Sequence, residues 1–171
     1  MKLSVPRVLL LLATISTPVL AGDVLERKAG LWKITTQGAA AASKHTAVQC
    51  LASDTDARLA SRDMATMKAI CSKFEAHKVG GTYVIDSVCK IGSRSSISHT
   101  VTTLEGDSAY HSVVTTHEGA AESSPGKMFV QDGRWAGQCP SNMKPGDQIL
   151  DVGPQMPNGL KTNLLDPSPA G

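Results

Sequence analysis

The sequence has few aromatic residues, since two phenylalanines, two tyrosines and two tryptophans make up only 4% of its 171 residues. Its large apolar side chains are spread thinly among serine, threonine, alanine and glycine. A core of this kind buries little apolar area, and each Å² removed from water contributes only about 25 cal/mol. We therefore expect a domain that needs covalent cross-links to offset the conformational entropy of its chain.

The sequence also lacks the short motifs that mark common catalytic sites. It contains no G-x-S-x-G elbow, no P-loop, no G-x-G-x-x-G and no H-E-x-x-H. Each of these motifs fixes a nucleophile, a phosphate or a metal ion at a spacing that can be read directly. No catalytic signature can therefore be assigned from the sequence alone, and no cofactor is expected.

The N-terminus has the three parts of an export signal. Lys2 and Arg7 precede the apolar run Val8–Ile15, and a small-residue pattern ends at Ala21. This order predicts a signal peptide over residues 1–21. A transmembrane anchor is the alternative, but Pro18 and the shortness of the run argue against a span of about 20 residues. We expect a periplasmic or secreted protein.

An excess of one charge is missing from the mature chain. Two of the 17 basic residues leave with the signal, so 15 basic residues remain against 15 acidic ones. A formally neutral chain has no field that steers it towards nucleic acid or anionic lipid. We expect no nucleic-acid partner, no transmembrane segment in the mature chain and a monomer.

The first half of the mature chain predicts two strands and one helix. Gly30–Thr36 and His45–Leu51 alternate like half-buried strands and make a hairpin. The helix is predicted from Thr55 to Ala69, with Ser53 as its N-cap. Its apolar side chains recur at spacings of three and four residues, at Ala57, Ala60, Met64, Met67 and Cys71. Methionines at such spacing are more typical of core filling than of a soft-metal site.

The second half predicts three hairpins. The first turns at Gly80-Gly81, where two glycines allow the positive φ angles of a tight turn. The second turns at Glu105-Gly106, and the third pairs Lys127–Val130 with Gly133–Cys139 around Asp132-Gly133. A two-residue turn at Glu105-Gly106 places one set of residues on a common face, namely Ile97, His99, Val101, Tyr110, Ser112 and Val114.

These elements predict a mainly β fold. About seven or eight strands form an antiparallel meander, either a curved sheet or a small barrel, with one short helix after the second strand. Proline and glycine then interrupt residues 140–171, which predicts a mostly extended or disordered tail. Ile149–Val152 and Leu160–Leu165 are segments of that tail that could still dock. The predicted organisation is a signal over 1–21, a β domain over 22–139 and a tail over 140–171.

The four cysteines all lie after the signal, which favours two disulfides in an oxidising compartment. Four cysteines allow three connectivities. Cys71 and Cys89 lie at equal distances from Gly80, so a hairpin brings them opposite each other if a bulge adjusts the register. We therefore favour Cys71 with Cys89 and Cys50 with Cys139. Metal binding is the weaker interpretation, because no pair has C-x-x-C spacing.

Histidines are the remaining candidates for chemistry. The predicted register points His99 inward between Ile97 and Val101, where a buried and satisfied histidine is the simpler interpretation and a catalytic role the sharper one. His111 and His117 are expected to face outward or to lie in the following loop. A Ser/His/Asp triad can be assembled on paper from any chain this rich in serine, so such an assembly carries no weight.

Several motifs in order resemble a known family of exported bacterial proteins, the domain-of-unknown-function family three-six-one-seven. The resemblance covers residues 30–139 and rests on Gly30-Leu31-Trp32, Gln49-Cys50, Cys71 and Cys89 around a glycine turn, Gly106-Asp107-Ser108 with Tyr110, Gly133-Arg134 and Gly137-Gln138-Cys139. It implies export and a compact β domain. It implies no activity and no functional residues.

Two hypotheses of function follow from the sequence. The first is a non-enzymatic envelope protein whose curved sheet binds a small apolar molecule or a partner protein. The second is an envelope hydrolase or metal-dependent enzyme that uses His99 or His111 with an acid such as Asp107. We favour the first, because matched acid, base and positioning groups are not visible at any readable spacing.

Overall fold

The computed structural model describes residues 25–38, 44–119, 126–154 and 156–166. These residues form nine strands and one helix. In chain order they are β1 Gly30–Gln37, β2 Lys44–Leu51, α1 Thr55–Ile70, β3 Cys71–Val79, β4 Thr82–Ile91, β5 Arg94–Glu105, β6 Ala109–Glu118, β7 Lys127–Gly137, β8 Asp147–Leu150 and β9 Leu160–Asn163. The prediction of a mainly β fold with one helix after the second strand is confirmed.

All nine strands belong to one open antiparallel sheet with the order β3-β4-β5-β6-β7-β1-β2-β8-β9. Strands β3 to β7 form a meander through consecutive hairpins, and β7 then pairs with β1. Helix α1 carries the chain from β2 to β3, which lies at the far edge of the sheet. In the described part of the chain, β3 and β9 are the two edge strands. No described helix has the length and apolar character that crossing a membrane requires.

Alternation along the strands gives the sheet two distinct faces. The helix face carries Trp32, Ile34 and Tyr110, and the outer face carries the intervening side chains such as Lys33 and His111. Buried apolar residues on the helix face form the core, which consists of Trp32, Ile34, Leu51 and Tyr110 with Leu104 and Trp135 packed against them. The core therefore lies over the middle of the sheet, around β1 and its neighbours.

Trp32 is the centre of this core. Its side chain is fully buried, its indole N–H donates to the carbonyl of Lys28 at 2.7 Å, and its ring lies 5.8 Å from that of Tyr110. A buried indole N–H needs such a partner, because an unpaired polar group in the interior costs free energy. The N-terminal segment before β1 is thereby fixed across the helix face.

The predicted turn between β5 and β6 was wrong by one residue. Glu105 pairs with Ala109, so the turn contains three residues, and Gly106 supplies a positive φ of 64°. An extra turn residue moves every side chain of β6 to the other face relative to β5. Val101 therefore faces Val113 on the outer face, while Tyr110 and its alternate neighbours lie on the helix face.

The predicted hairpin around Asp132-Gly133 was also wrong. Strand β7 runs without a break from Lys127 to Gly137 and pairs with both β6 and β1. Gly133 lies inside it because a side chain there would collide with Tyr110, whose Cε1 would be 2.0 Å from an added Cβ. This glycine makes room for an aromatic ring rather than for a turn.

The tail contains two strands that the sequence analysis did not predict as strands. β8 pairs with β2, and β9 pairs with β8. The Asp147 carboxylate fixes this extension, since it accepts from the Lys144 backbone N–H at 2.8 Å, from Asn163 Nδ2 at 2.9 Å and from Lys161 Nζ at 2.9 Å. Burial disfavours the charged form, but these contacts outweigh it and lower the pKa of Asp147 to about 2.

Two disulfides join Cys50 to Cys139 and Cys71 to Cys89. This is the pairing that the sequence analysis favoured, and the strand register shifts between Cys71 and Lys73, as the expected bulge requires. The signal peptide and the loop at 39–43 lie outside the described residues. The boundaries at 21 and 139 stay predictions.

Candidate functional site

Helix α1 begins at a buried threonine. Thr55 is fully buried, its N–H donates to the carbonyl of Ala52 at 3.2 Å, and its Oγ1 accepts from the N–H of Ala52 at 2.8 Å. Asp54 occupies the N-cap position without a side-chain hydrogen bond. The prediction of Ser53 as the cap was wrong, because the reciprocal contact with Ala52 turns the chain into the helix instead.

A buried ion pair fixes the first turn of α1 to the N-terminal segment. The backbone N–H and Nη2 of Arg27 donate to the Asp56 carboxylate at 2.7 and 2.6 Å, and each side chain is only 10% exposed. Arg27 Nη1 also donates to Gln49 Oε1 at 2.9 Å. Its guanidinium lies 5.9 Å from the Trp32 ring and 5.8 Å from the Tyr110 ring. The pair therefore joins α1 to the core.

The other end of α1 is held by a disulfide. The N–H of Cys71 donates to the carbonyl of Met67 and ends the helix, and Cys71 is then bonded to Cys89 of β4. The sulfur atoms of Cys71 and Met67 lie 3.6 Å apart. Because both ends are fixed, the middle of the helix bridges the helix face of β3, β4 and β5.

An apolar cavity of about 420 Å³ lies beneath this bridge. Its walls come from the N-terminal segment, from the inner side of α1 and from the helix face of the sheet. The lining residues are Leu25, Arg27, Asp56, Leu59, Ala60, Asp63, Met64, Met67, Phe74, Ala76, Tyr83, Ile85 and Thr102. The helical spacing that predicted core filling thus points Met64 and Met67 into a cavity that their side chains leave open.

The charged groups and the threonine hydroxyl that line the cavity already have hydrogen-bond partners, and among them Asp63 accepts from Arg62 Nη2 at 2.8 Å. Arg27 and Asp56 are bonded together, and the Thr102 hydroxyl donates to the Ser112 hydroxyl at 2.9 Å. No buried side-chain nitrogen or oxygen of the described residues lacks a hydrogen-bond partner. A polar ligand would have to displace these contacts, whereas an apolar ligand would gain the transfer of its surface from water.

A second hollow of about 790 Å³ lies at the ends of β1, β2 and β8. It is shallower, and its lining includes Lys44, His45, Thr46 and Asp151. Its apolar side chains, Leu150 and Val152, are thus interspersed with charged and hydroxyl groups, and the hollow is more open to solvent than the cavity under α1. We therefore take the cavity under α1 as the candidate site.

The predicted inward position of His99 was wrong. The corrected register places it on the outer face, where its side chain is 53% exposed and its Nδ1 lies 2.7 Å from Asp86 Oδ1. Its hydrogen bond lowers the pKa of the Asp86 carboxyl. The neighbour of His99 across the strand pair is Thr115. His99 therefore lies on the side of the sheet away from the cavity.

His111 forms a similar pair on the same outer face. Its side chain is 46% exposed, as expected of an outward position, and its Nδ1 lies 2.8 Å from Asp132 Oδ1. Asp107 instead lies 3.2 Å from Lys28 Nζ. The structure thus places His99, His111 and Asp107 in three separate contacts. Cross-strand pairs of this kind stabilise strand pairing by roughly 0.2–1 kcal/mol.

Metal ligands do not cluster in the described ranges, where no three His, Cys, Asp or Glu side chains are close enough to hold an ion. The cavity itself was missed by the sequence analysis. The sequence signal nearest to it is the set of large, flexible apolar side chains on one helix face, Leu59, Met64 and Met67, which predicts that α1 packs on the sheet but not that a cavity remains between them.

Comparison with known families gives one match. Residues 27–139 match the family model described as "Protein of unknown function (DUF3617)". This range begins at Arg27 and ends at Cys139, so it includes α1, both disulfides and every cavity residue except Leu25. No curated protein sequence and no solved structure matches the chain.

Proposed function

The chain belongs to the family described as protein of unknown function DUF3617, and because that description assigns no activity, we propose a function from the geometry of the cavity. We propose that the protein is a non-enzymatic binding protein that holds a small apolar ligand between α1 and the sheet. The observation that supports this proposal is a cavity of about 420 Å³ whose lining is mostly apolar and whose Arg27, Asp56 and Thr102 side chains already have hydrogen-bond partners.

The volume and lining support this proposal. Pockets that bind small molecules have volumes of roughly 300–1,000 Å³ and are mostly apolar. Filling the cavity would also restore the contacts that Met64, Met67 and Phe74 lack on their open side. A ligand would therefore stabilise the folded protein in proportion to its affinity and concentration.

Export is part of the same proposal. The predicted signal over residues 1–21 and the two disulfides support a periplasmic or secreted location. In such a compartment an apolar molecule needs a carrier or a receptor, because water disfavours its free surface. The proposed role is to hold such a molecule in solution.

The test compares two alanines of α1 that differ in position. Ala60 lines the cavity, whereas Ala65 is exposed, does not line the cavity and lies about 140° around the helix from Ala60. Titration with the apolar fluorophore N-phenyl-1-naphthylamine should give saturable binding. Ala60→Phe should weaken that binding at least tenfold because it fills the cavity, and Ala65→Phe should leave it within twofold. Equal effects of the two substitutions, or no saturable binding to the wild-type protein, would overturn the proposal.

Native mass spectrometry of protein purified from the envelope of its own cells provides a second test. A retained small molecule supports the proposed carrier. A stoichiometric protein that remains bound while the cavity stays accessible to the fluorophore would instead indicate an adaptor, and would contradict the proposal that the cavity is the functional site.

A further inference from the structure

A row of mostly apolar side chains, interrupted by Thr100, continues from the cavity across the open part of the helix face. Ala76 and Ile85 line the cavity and pair directly across β3 and β4. Ile85 pairs with Thr100, Thr100 with Val114, and Val114 with Phe129. Directly paired residues lie on the same face of a sheet, so these five side chains form one line across five strands. We call the part outside the cavity, Thr100, Val114 and Phe129, the strip.

The strip is open to solvent and has a definite length. Phe129 is 39% exposed although it is a large apolar side chain, and Thr100 and Val114 are half-buried. Neighbouring strands are about 4.8 Å apart, so the path from Ile85 to Phe129 is about 14 Å long. The strip therefore continues the lining of the cavity as a solvent-exposed row on the helix face.

The strip is also narrow, because hydroxyl groups border it on both sides. On one side the Ser98 and Thr116 hydroxyls lie 3.2 Å apart, and on the other the Thr102 hydroxyl donates to that of Ser112. These hydroxyls are bonded to each other across the strands. The apolar surface is therefore only one side chain wide, which matches the width of a hydrocarbon chain and is less than that of a fused ring system.

The same pairing argues against a peptide as the occupant. A peptide carries an N–H and a carbonyl at almost every residue, and each needs a partner when it leaves water. Arg27, Asp56 and Thr102 at the cavity are already bonded, so these side chains offer such a segment a partner only by breaking an existing contact. A saturated chain makes no such demand.

We infer that the ligand is a single-chain amphiphile such as a fatty acid. Its hydrocarbon end lies in the cavity, its middle lies along the strip, and its polar end lies in solvent beyond Phe129. This inference rests on the proposed function and names the class of ligand for the same site. The methylene groups of the ligand that lie in the cavity and those that lie on the strip both contribute to binding. The two regions can therefore be tested separately.

The experiment uses two fatty acids of different length in competition with the fluorophore, below their critical micelle concentrations. Octanoic acid is short enough to bind in the cavity alone, whereas tetradecanoic acid must extend onto the strip. Each methylene removed fully from water strengthens binding roughly fourfold, so partial burial on the strip predicts at least a tenfold advantage for the longer acid. Longer chains also bind more strongly to many other apolar surfaces. Variants are therefore needed to show that the stronger binding of the longer acid arises on the strip.

Val114→Thr places a hydroxyl on the strip with little change of shape, and Val113→Thr is its matched control on the outer face of the same strand. We expect Val114→Thr to weaken the binding of tetradecanoic acid about fivefold and that of octanoic acid less than twofold. Val113→Thr should change neither. Phe129→Ser, at an exposed position where a fold defect is not expected, should repeat the selective loss if Val114→Thr lowers stability.

The outcomes separate the two proposals. If both acids bind and the strip variants affect them equally or not at all, the inference of an extended chain is wrong while the cavity proposal stands. If neither acid displaces the fluorophore and Ala60→Phe does not weaken the binding of the fluorophore, the cavity proposal is wrong. The inference of an extended chain is then wrong as well. A selective loss with the long acid supports both.

Discussion

The ion pair between Arg27 and Asp56 should be among the largest single contributions to stability in this protein. Asp56→Ala leaves the Arg27 guanidinium, 10% exposed, with Gln49 as its remaining hydrogen-bond acceptor. Breaking a buried pair by removing one partner costs about 3–5 kcal/mol, because the other charge stays buried without compensation. Arg27→Met should cost about 1 kcal/mol less, since Asp56 lies in the first turn of α1, where the helix dipole stabilises an anion.

The measurement is urea unfolding at neutral pH for the wild type, both single variants and the double variant Arg27→Met/Asp56→Ala. The double variant should be less destabilised than the sum of the single losses by about 2 kcal/mol, since residues in one network do not act additively. Arg58→Ala is the control, because the Arg58–Asp54 pair is exposed, 3.9 Å long and in the same turn of the helix. Its loss should stay below about 0.5 kcal/mol. Additive losses, or single losses as small as the control, would refute the role assigned to the buried pair.

Three further predictions concern stability. Gly133→Ala should cost about 1–3 kcal/mol in urea unfolding, because its methyl group would collide with the Tyr110 ring; a neutral result would mean that the ring moves freely. The ionised Asp147 carboxylate, with its low pKa, contributes a free energy of unfolding that is complete above about pH 4 and is lost as the pH falls towards 2. Over that range the wild type should lose about 2 kcal/mol more of its free energy of unfolding than Asp147→Asn does. Parallel pH profiles of the two proteins would contradict this. Replacing Cys71 and Cys89 by serine should lower the free energy of unfolding by about 3 kcal/mol, as expected for a loop of 18 residues. Calorimetry measures this loss, and an unchanged unfolding temperature would show that the bridge is dispensable.

The sequence was sufficient for the elements whose side-chain pattern is unambiguous. β1 alternates cleanly around Trp32 and Ile34, and α1 has a regular apolar spacing, so both could be placed to within a residue or two. The pairing of Cys71 and Cys89 could also be inferred, because the glycine turn between them fixes the hairpin. In each case the deciding information is local in the chain.

The errors arose where distant residues decide the local structure. Strand β5 has apolar side chains on both faces, Val101 on one and Leu104 on the other, so its pattern cannot distinguish a two-residue turn from a three-residue turn. Gly133 follows an aspartate and looks like a turn residue, yet Tyr110, far away in sequence, requires a glycine at that point of a strand. The predicted site followed the register error, which is why His99 was expected inside.

The cavity could not be predicted for a related reason. A helical apolar face predicts that α1 packs on something, but it does not predict how closely. That distance depends on the Arg27–Asp56 pair at one end and on the disulfide at the other, which join α1 to residues before β1 and within β4. Such spacing is a property of the assembled fold.

The anchoring of α1 at both ends restricts how a molecule can enter or leave. A segment fixed at its two termini cannot swing aside as a hinged cover does, so under the proposed function a ligand would enter and leave along the sheet, on the side where the strip lies. One of the two anchors is a bond between sulfur atoms, which forms only after the chain reaches oxidising surroundings. Without that bond the C-terminal end of the helix is held only by the pairing of β3 with β4, so under the proposed export the covalent anchor is added after the chain has left the reducing cell interior.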